Sequence, residues 1–263
     1  MSFGPEQHRF IPSKKNAPGF SDETARTFTA GAFQAGASLY DDVRPSYPFA
    51  VSELVTDATT VIDVGAGSGK LAADLLTPGR TVFAVDPSAD MLTVLKQQHS
   101  AVHAWRATAE ATGVRDSSVD AYVSAQTWHW VDTAAASAEA DRVVAPGGKL
   151  MLCWNTLDVS HSWVLRYSRI SHSGDVHREG FYPEVYAPWS LTEELRLRWF
   201  QEVTTADLFA LAKTRSYWLR ASDTTRAKVE ANLRWYLYER LGFEEGDRIP
   251  LPYRTDAFLY ERA

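Results

Sequence analysis

Val61-Ile62-Asp63-Val64-Gly65-Ala66-Gly67-Ser68-Gly69-Lys70 decides how this chain is read. A short β-branched run ends in a glycine loop, and a second run, Val82-Phe83-Ala84-Val85-Asp86, ends in one acid. Asp86 lies about 20 residues beyond the loop, the distance over which a strand-turn-helix-strand unit returns to the same sheet edge. The glycines let the backbone approach a ligand closely, and the acid can grip the two hydroxyls of a ribose. An adenosine-containing cofactor is the first expectation.

Three cofactors compete for such a loop. A phosphate-cradling loop needs G-x-x-x-x-G-K-[ST], but Gly69-Lys70 is followed by Leu71 and position 64 is Val. A dinucleotide fold needs G-x-G-x-x-G, whose third glycine allows close helix-strand packing. Here Gly65, Gly67 and Gly69 are spaced G-x-G-x-G, and Lys70 stands at the third-glycine position. The form Asp-Val-Gly-x-Gly-x-Gly resembles the first motif of class I S-adenosylmethionine (SAM)-dependent methyltransferases. In that family the early acid, here Asp63, lies near the amino group of the methionine portion. SAM has no pyrophosphate, which suits a different glycine register.

Downstream segments extend the resemblance. Thr108-Ala109-Glu110 follows the apolar run 102–105 and resembles the family's third motif, beside the adenine. The stretch 118–130 resembles the fourth strand and the loop at its C-terminal end, Gln126-Thr127-Trp128-His129-Trp130. Residues 142–152, with Pro146-Gly147-Gly148, resemble the helix, turn and fifth strand of the same fold. The order and spacing hold from about residue 40 to 155. The implied fold is α/β and Rossmann-like: a doubly wound, seven-stranded, mostly parallel sheet with an antiparallel last strand and a helical lid insertion.

Composition agrees with a catalytic domain. A chain of 263 residues can bury a full core, and 45% hydrophobic content is ordinary for an α/β protein. No apolar run approaches the roughly 18 residues needed to span a bilayer, so no membrane partner is expected. Residues 1–6 lack the basic-then-apolar form of a secretory signal. The one cysteine, Cys153, falls in the expected fifth strand and reads as a small core residue. A lone cysteine fits a reducing cytoplasm, which is the expected location. With net charge −6 and no dense basic cluster, nucleic acid is not an expected partner.

The sequence divides into an N-terminal arm, 1–25, polar and Pro/Gly-bearing without period, and a methyltransferase domain, 26–263. Within the latter, 26–155 is the expected SAM-binding core, 156–192 a lid or substrate insertion, and 193–263 the completion of the sheet with a helical cap. Residues 193–203 read as a strand, 204–215 as a helix opened by a threonine cap, and 223–241 as a longer helix ended by Gly242. Residues 253–260 read as the last strand.

Residues 40–48, Tyr40-Asp41-Asp42-Val43-Arg44-Pro45-Ser46-Tyr47-Pro48, resemble the Tyr-x-x-x-Arg-Pro-x-Tyr-Pro segment of a small-molecule branch that includes trans-aconitate methyltransferase-like proteins. There the segment covers the cofactor. The resemblance implies that Tyr40 and Arg44 lie over the methionine end, with Arg44 facing its carboxylate, and that Tyr47 borders the acceptor. It further implies cofactor contacts from Asp63, Gly65, Ala66, Gly67, Asp86, Pro87 and Met91. Thr108, Ala109, Glu110 and Gln126 complete that set. Trp128, Trp130 and Arg166 are the remaining acceptor-side candidates. The aromatic residues of 155–188, Trp163, Tyr167, Tyr182 and Tyr186 among them, have an alternative reading in which they simply pack a helical subdomain on the sheet.

Methyl transfer is an in-line displacement in which the protein desolvates and aligns the nucleophile. A carboxylate acceptor needs positioning only, whereas a hydroxyl also needs a base. His129, in the loop where ligands sit in open α/β sheets, is the candidate base, with a structural His-Trp pair as the alternative. The stretch 124–128 is not the Asp/Asn-Pro-Pro-aromatic loop of amino-group enzymes. Leu152 precedes the cysteine, unlike the Pro-Cys of cytosine-C5 enzymes. Gln126 and Asp132 do not amount to a catechol-type metal site, and no His/Cys spacing suggests zinc, so no metal is expected. The expected partner is a small organic acceptor, methylated at oxygen. A non-catalytic SAM-binding protein and an NAD-type oxidoreductase are the rivals.

Overall fold

The computed structural model describes residues 43–173 and 177–263. The arm at 1–25 and Tyr40 lie outside the described residues. Seven strands form one sheet: β1 (Thr60–Val64), β2 (Thr81–Asp86), β3 (His103–Arg106), β4 (Val119–Ala125), β5 (Val144–Leu157), β6 (Trp189–Thr204) and β7 (Arg248–Arg262). Their spatial order is β3-β2-β1-β4-β5-β7-β6. Strands β1 to β5 pair in parallel, and the sheet closes with an antiparallel last strand, as expected. Helix α1 (Phe49–Glu53) precedes β1, and between the strands lie α2 (Lys70–Asp74), α3 (Ala89–Gln98), α4 (Thr133–Val143), α5 (Ser162–Ile170), α6 (Thr205–Lys213), α7 (Ser216–Arg220) and α8 (Asp223–Arg234).

The chain resolves into two compact units. The sheet unit comprises Ser46–Asn155, Tyr182–Arg196 and Thr255–Ala263. Its central strands are buried almost end to end, Val61, Ile62 and Val64 in β1 and Ala121, Tyr122 and Val123 in β4 being inaccessible. Parallel strands are covered on both faces, which is why these read as largely apolar runs, interrupted by Asp63 in β1 and by Asp120 and Ser124 in β4. The Pro146-Gly147-Gly148 turn expected between the helix and the fifth strand falls inside β5 as an irregularity. The register slips between Val119 and Ala121, and a Cβ on Gly148 would lie 2.5 Å from the Asp120 carbonyl oxygen.

The helical unit contains Thr156–Phe181 and Leu197–Arg254 together with residues 43–45. Its core is built from Trp163, Val164 and Tyr167 of α5, Leu208 and Leu211 of α6, and Val229 and Leu233 of α8. Two tyrosine hydroxyls fasten it, Tyr167 donating to the Leu208 carbonyl (2.7 Å) and Tyr236 to the Trp163 carbonyl (3.1 Å). The threonine cap is present: the Thr204 hydroxyl accepts the Asp207 amide, and Asp207 returns the bond in a capping box. The helix expected over 223–241 changes character after Arg234, widening into a π turn at Trp235–Arg240 before Gly242. The expected lid, 156–192, divides between the two units. Its second part belongs to the sheet unit, where Tyr186 and Trp189 hydrogen-bond to Ser137 of α4.

Candidate functional site

The strand order reverses direction between β1 and β4, and in open α/β sheets ligands sit at the C-terminal ends of strands at such a switch point. Side chains stitch the two ends together there. The Ser124 hydroxyl donates to the Val64 carbonyl (2.9 Å), and the Thr127 hydroxyl donates to the Gly65 carbonyl (3.0 Å). The Gly65 and Ala66 amides both donate to the Val85 carbonyl, folding the glycine loop back over β2. Gly65 has φ +71, and a Cβ on it would lie 2.2–2.6 Å from Thr127 side-chain atoms. Gly67 has φ +56 and open space where a Cβ would be, so a neighbouring group can approach the loop backbone there.

Asp63 and Asp86 bring two buried carboxylates to the mouth of these strands. Asp86 is held by two amides, Gly67 donating to one oxygen (2.9 Å) and Ser88 to the other (2.8 Å). Burial raises its pKa, and the Ser88 and Gly67 amides oppose that rise. Asp63 is 1% exposed, and among the described residues neither of its oxygens accepts a hydrogen bond of ordinary geometry. Burial pushes its pKa up to about 7. The Ala72 amide lowers the value, while Asp86 and Asp74 raise it. A charged group left unmatched in the interior is costly, so its retention beside an open loop points to a cationic ligand group.

The residues expected around the adenine also lie on the sheet unit. Met91 is buried on α3, whose Ser88 cap accepts the Met91 amide, and Pro87 is exposed. Thr108, Ala109 and Glu110 form a turn closed by a Thr108–Ala111 bridge. The Tyr122 hydroxyl donates to the Ala109 carbonyl (3.1 Å), and Glu110 accepts the Asp132 amide (2.9 Å). Asp132 itself caps α4 through the Ala134 and Ala135 amides.

The loop after β4 is rigidly tethered. Gln126 adopts φ +56, a conformation that non-glycine residues hold only where surroundings enforce it. Its amide donates to the Cys153 carbonyl (2.9 Å), and its side-chain nitrogen donates to the Asn155 carbonyl (2.5 Å). Trp128 is 2% exposed, packs edge-on against Tyr122 and donates to the Glu184 carbonyl (2.8 Å). It anchors the loop, whereas His129 and Trp130 are half-buried, their rings 4.9 Å apart. Tyr47 is half-buried against the sheet unit's core. Arg44 and Arg166 belong to the helical unit. There the Arg44 guanidinium donates to the Thr214 hydroxyl (3.1 Å), and Arg166 is exposed on α5.

Three site-forming residues escape the sequence reading: Thr127, Trp154 and Asn155. Asn155 joins three segments, its oxygen accepting from the Thr255 hydroxyl (2.6 Å) and its nitrogen donating to the Ser46 carbonyl (3.0 Å). Its position at the C-terminal end of the fifth strand was the available signal. Cys153 is fully buried with its thiol pushed well up by burial.

Residues 62–152 match the methyltransferase domain family. An uncharacterized methyltransferase of Mycobacterium tuberculosis is 36% identical over 228 residues, covering 85% of this chain and 93% of that protein. The malonyl-[acyl-carrier protein] O-methyltransferase of Pectobacterium atrosepticum is 27% identical over 177 residues, 58% of this chain and 70% of that one. Among solved structures, one assigned as a type II methyltransferase from Anaeromyxobacter dehalogenans superposes with a TM-score of 0.58 at 24% identity, over 83% of this chain and 97% of that one, a likeness of fold. The chain belongs to the class I SAM-dependent methyltransferases, and its cofactor is SAM. The oxidoreductase alternative is set aside. The site fits this cofactor on its own terms: SAM carries an ammonium that the buried Asp63 carboxylate can neutralise, whereas a dinucleotide's diphosphate in the same place would meet a like charge.

Proposed function

We propose that this enzyme methylates an oxygen of a small organic acceptor, a carboxylate in the first instance and a hydroxyl in the second. The unmatched, fully buried Asp63 beside the open Gly67 loop carries the cofactor half of this reading. In it, Asp63 neutralises the methionine ammonium and Asp86 accepts from the ribose hydroxyls. Gly65, Ala66 and Gly67 give close backbone approach, and Pro87, Met91 and the Thr108–Ala109–Glu110 turn border the adenine. Gln126 shapes the methionine end, while Tyr47, His129 and Trp130 face the acceptor.

Bound SAM supplies a methyl carbon made electrophilic by its sulfonium. The chain's part is to hold the acceptor oxygen in line with that carbon and to exclude water, which is worth most in a desolvated site. Two observations favour oxygen: the partial similarity to an O-methyltransferase acting on a malonyl group, and the resemblance of residues 40–48 to the trans-aconitate-like branch. The reading is tested by incubating purified protein with SAM and a panel of small carboxylic acids, phenols and alcohols, following S-adenosylhomocysteine release and the mass of the product. Turnover of a carboxylic acid to its methyl ester is expected. Methylation at carbon or nitrogen, with none at oxygen, overturns it.

A further inference from the structure

We propose that Trp154 fixes the tautomer of His129, leaving the ring proton on Nε2, so that His129 offers the acceptor a hydrogen-bond donor and is not its base. This rests on the acceptor-side placement of His129 given above. An indole nitrogen can only donate. The Trp154 Nε1–H donates to His129 Nδ1 at 3.2 Å, so Nδ1 presents its lone pair. A neutral imidazole has one proton, which is then on Nε2. Turning the ring over would place a carbon against the indole N–H and forfeit this bond.

Both partners are held in place. Trp154 is 2% exposed near the end of β5, its indole edge-on to Phe258 at 6.0 Å. His129 lies in the short 3₁₀ turn Trp128–Trp130, which Trp128 anchors through the Glu184 carbonyl, and its ring leans on Trp130. Accepting a proton at Nδ1 means breaking the indole bond, and Nε2 already carries its proton. Trp154 is therefore a positioning residue that acts through His129.

A donor suits an acceptor that is already ionised. A carboxylate lone pair forms the new O–CH₃ bond as the S–CH₃ bond breaks, and the electron pair of the broken bond goes to sulfur. The negative charge of the carboxylate and the positive charge of the sulfonium cancel, and no proton is released. A hydroxyl acceptor loses a proton, which this tautomer is not set to take.

The test is the tautomer itself, read in the full-length protein labelled with ¹⁵N-histidine by two-bond ¹H–¹⁵N correlation spectra without any acceptor. The His129 signals are identified by their loss in H129Q, or in H129N should that variant not fold. At neutral pH the wild type is expected to show a protonated Nε2 and a bare Nδ1. W154F is expected to shift the population toward protonated Nδ1. A wild-type ring protonated at Nδ1 overturns the proposal, as does a tautomer unchanged in W154F. The wild-type spectrum decides even if W154F does not fold. Failure of the O-methylation reading appears separately, as absence of turnover at oxygen.

Discussion

Asp63→Asn separates the demands of folding from those of binding. The rise of the Asp63 pKa from 3.8 to about 7 corresponds to about 4 kcal/mol of disfavoured ionisation in the folded chain. An acid whose folded-state pKa is raised binds its proton more tightly when folded, so stability falls as pH climbs from about 4 to about 7. Above that window the whole penalty is in place; below it there is none. Asparagine removes the charge but buries an amide whose unmet hydrogen bonds cost about 1–3 kcal/mol. The ligand-free variant is therefore expected to be about 1–3 kcal/mol more stable than wild type at pH 8 and less stable at pH 4. At this chain length that is roughly 2–10 °C in Tm at pH 8. SAM affinity moves the other way, because the buried ammonium loses its counter-charge: a loss of about 2–4 kcal/mol, roughly 30- to 1,000-fold. Thermal unfolding at the two pH values and calorimetric titration with SAM measure both. A variant no more stable than wild type at pH 8, with SAM affinity intact, refutes the reasoning.

The two loop glycines are expected to diverge. Gly65→Ala meets Thr127 and a positive φ, and should lose about 2–4 kcal/mol of stability in thermal melts. Gly67→Ala, with φ +56 but open space, should lose only about 1 kcal/mol while weakening SAM by more than about tenfold; equal behaviour of the two in both assays contradicts the site. Asp86→Ala removes the acceptor for the Gly67 and Ser88 amides, so both ligand-free stability and SAM binding should fall by about 1–3 kcal/mol. Unchanged affinity by calorimetry sinks its ribose assignment. Burial pushes the Glu139 pKa up, but Arg142 and Thr112 outweigh this and hold it below the ordinary value. Its contribution is present above about pH 4.5 and lost as pH falls through the lower folded-state value. Glu139→Gln should cost about 1–2 kcal/mol at pH 7 and progressively less in acid, as followed by denaturant melts.

Much of the architecture was legible because its causes are local. A parallel strand covered on both faces is largely apolar, so 61–64 and 119–125 declare themselves despite Asp63, Asp120 and Ser124, and a backbone at positive φ selects glycine at 65 and 67. The acid at the end of the second strand and the threonine cap at 204 are readable for the same reason. The ends of β6 and the break of the helix after Arg234 were not, since edge exposure and a π turn leave no periodic signature. Trp128 reads in sequence as an acceptor-side candidate, and that its indole donates to the Glu184 carbonyl was not legible there.

What the sequence alone determined is the cofactor class, through a motif whose members lie within one βαβ unit and whose spacing is set by that unit's length. What only the tertiary structure decided is how β4 and β5 share an end. Their adjacency in the sheet brings Trp154 to His129 across 25 residues and Gln126 to the Asn155 carbonyl across 29, while the adjacency of β5 and β7 brings Thr255 to Asn155 across 100. It likewise decided that Asp63 finds no hydrogen-bond partner among the described residues, because burial and matching depend on every neighbour at once and no stretch of sequence encodes them.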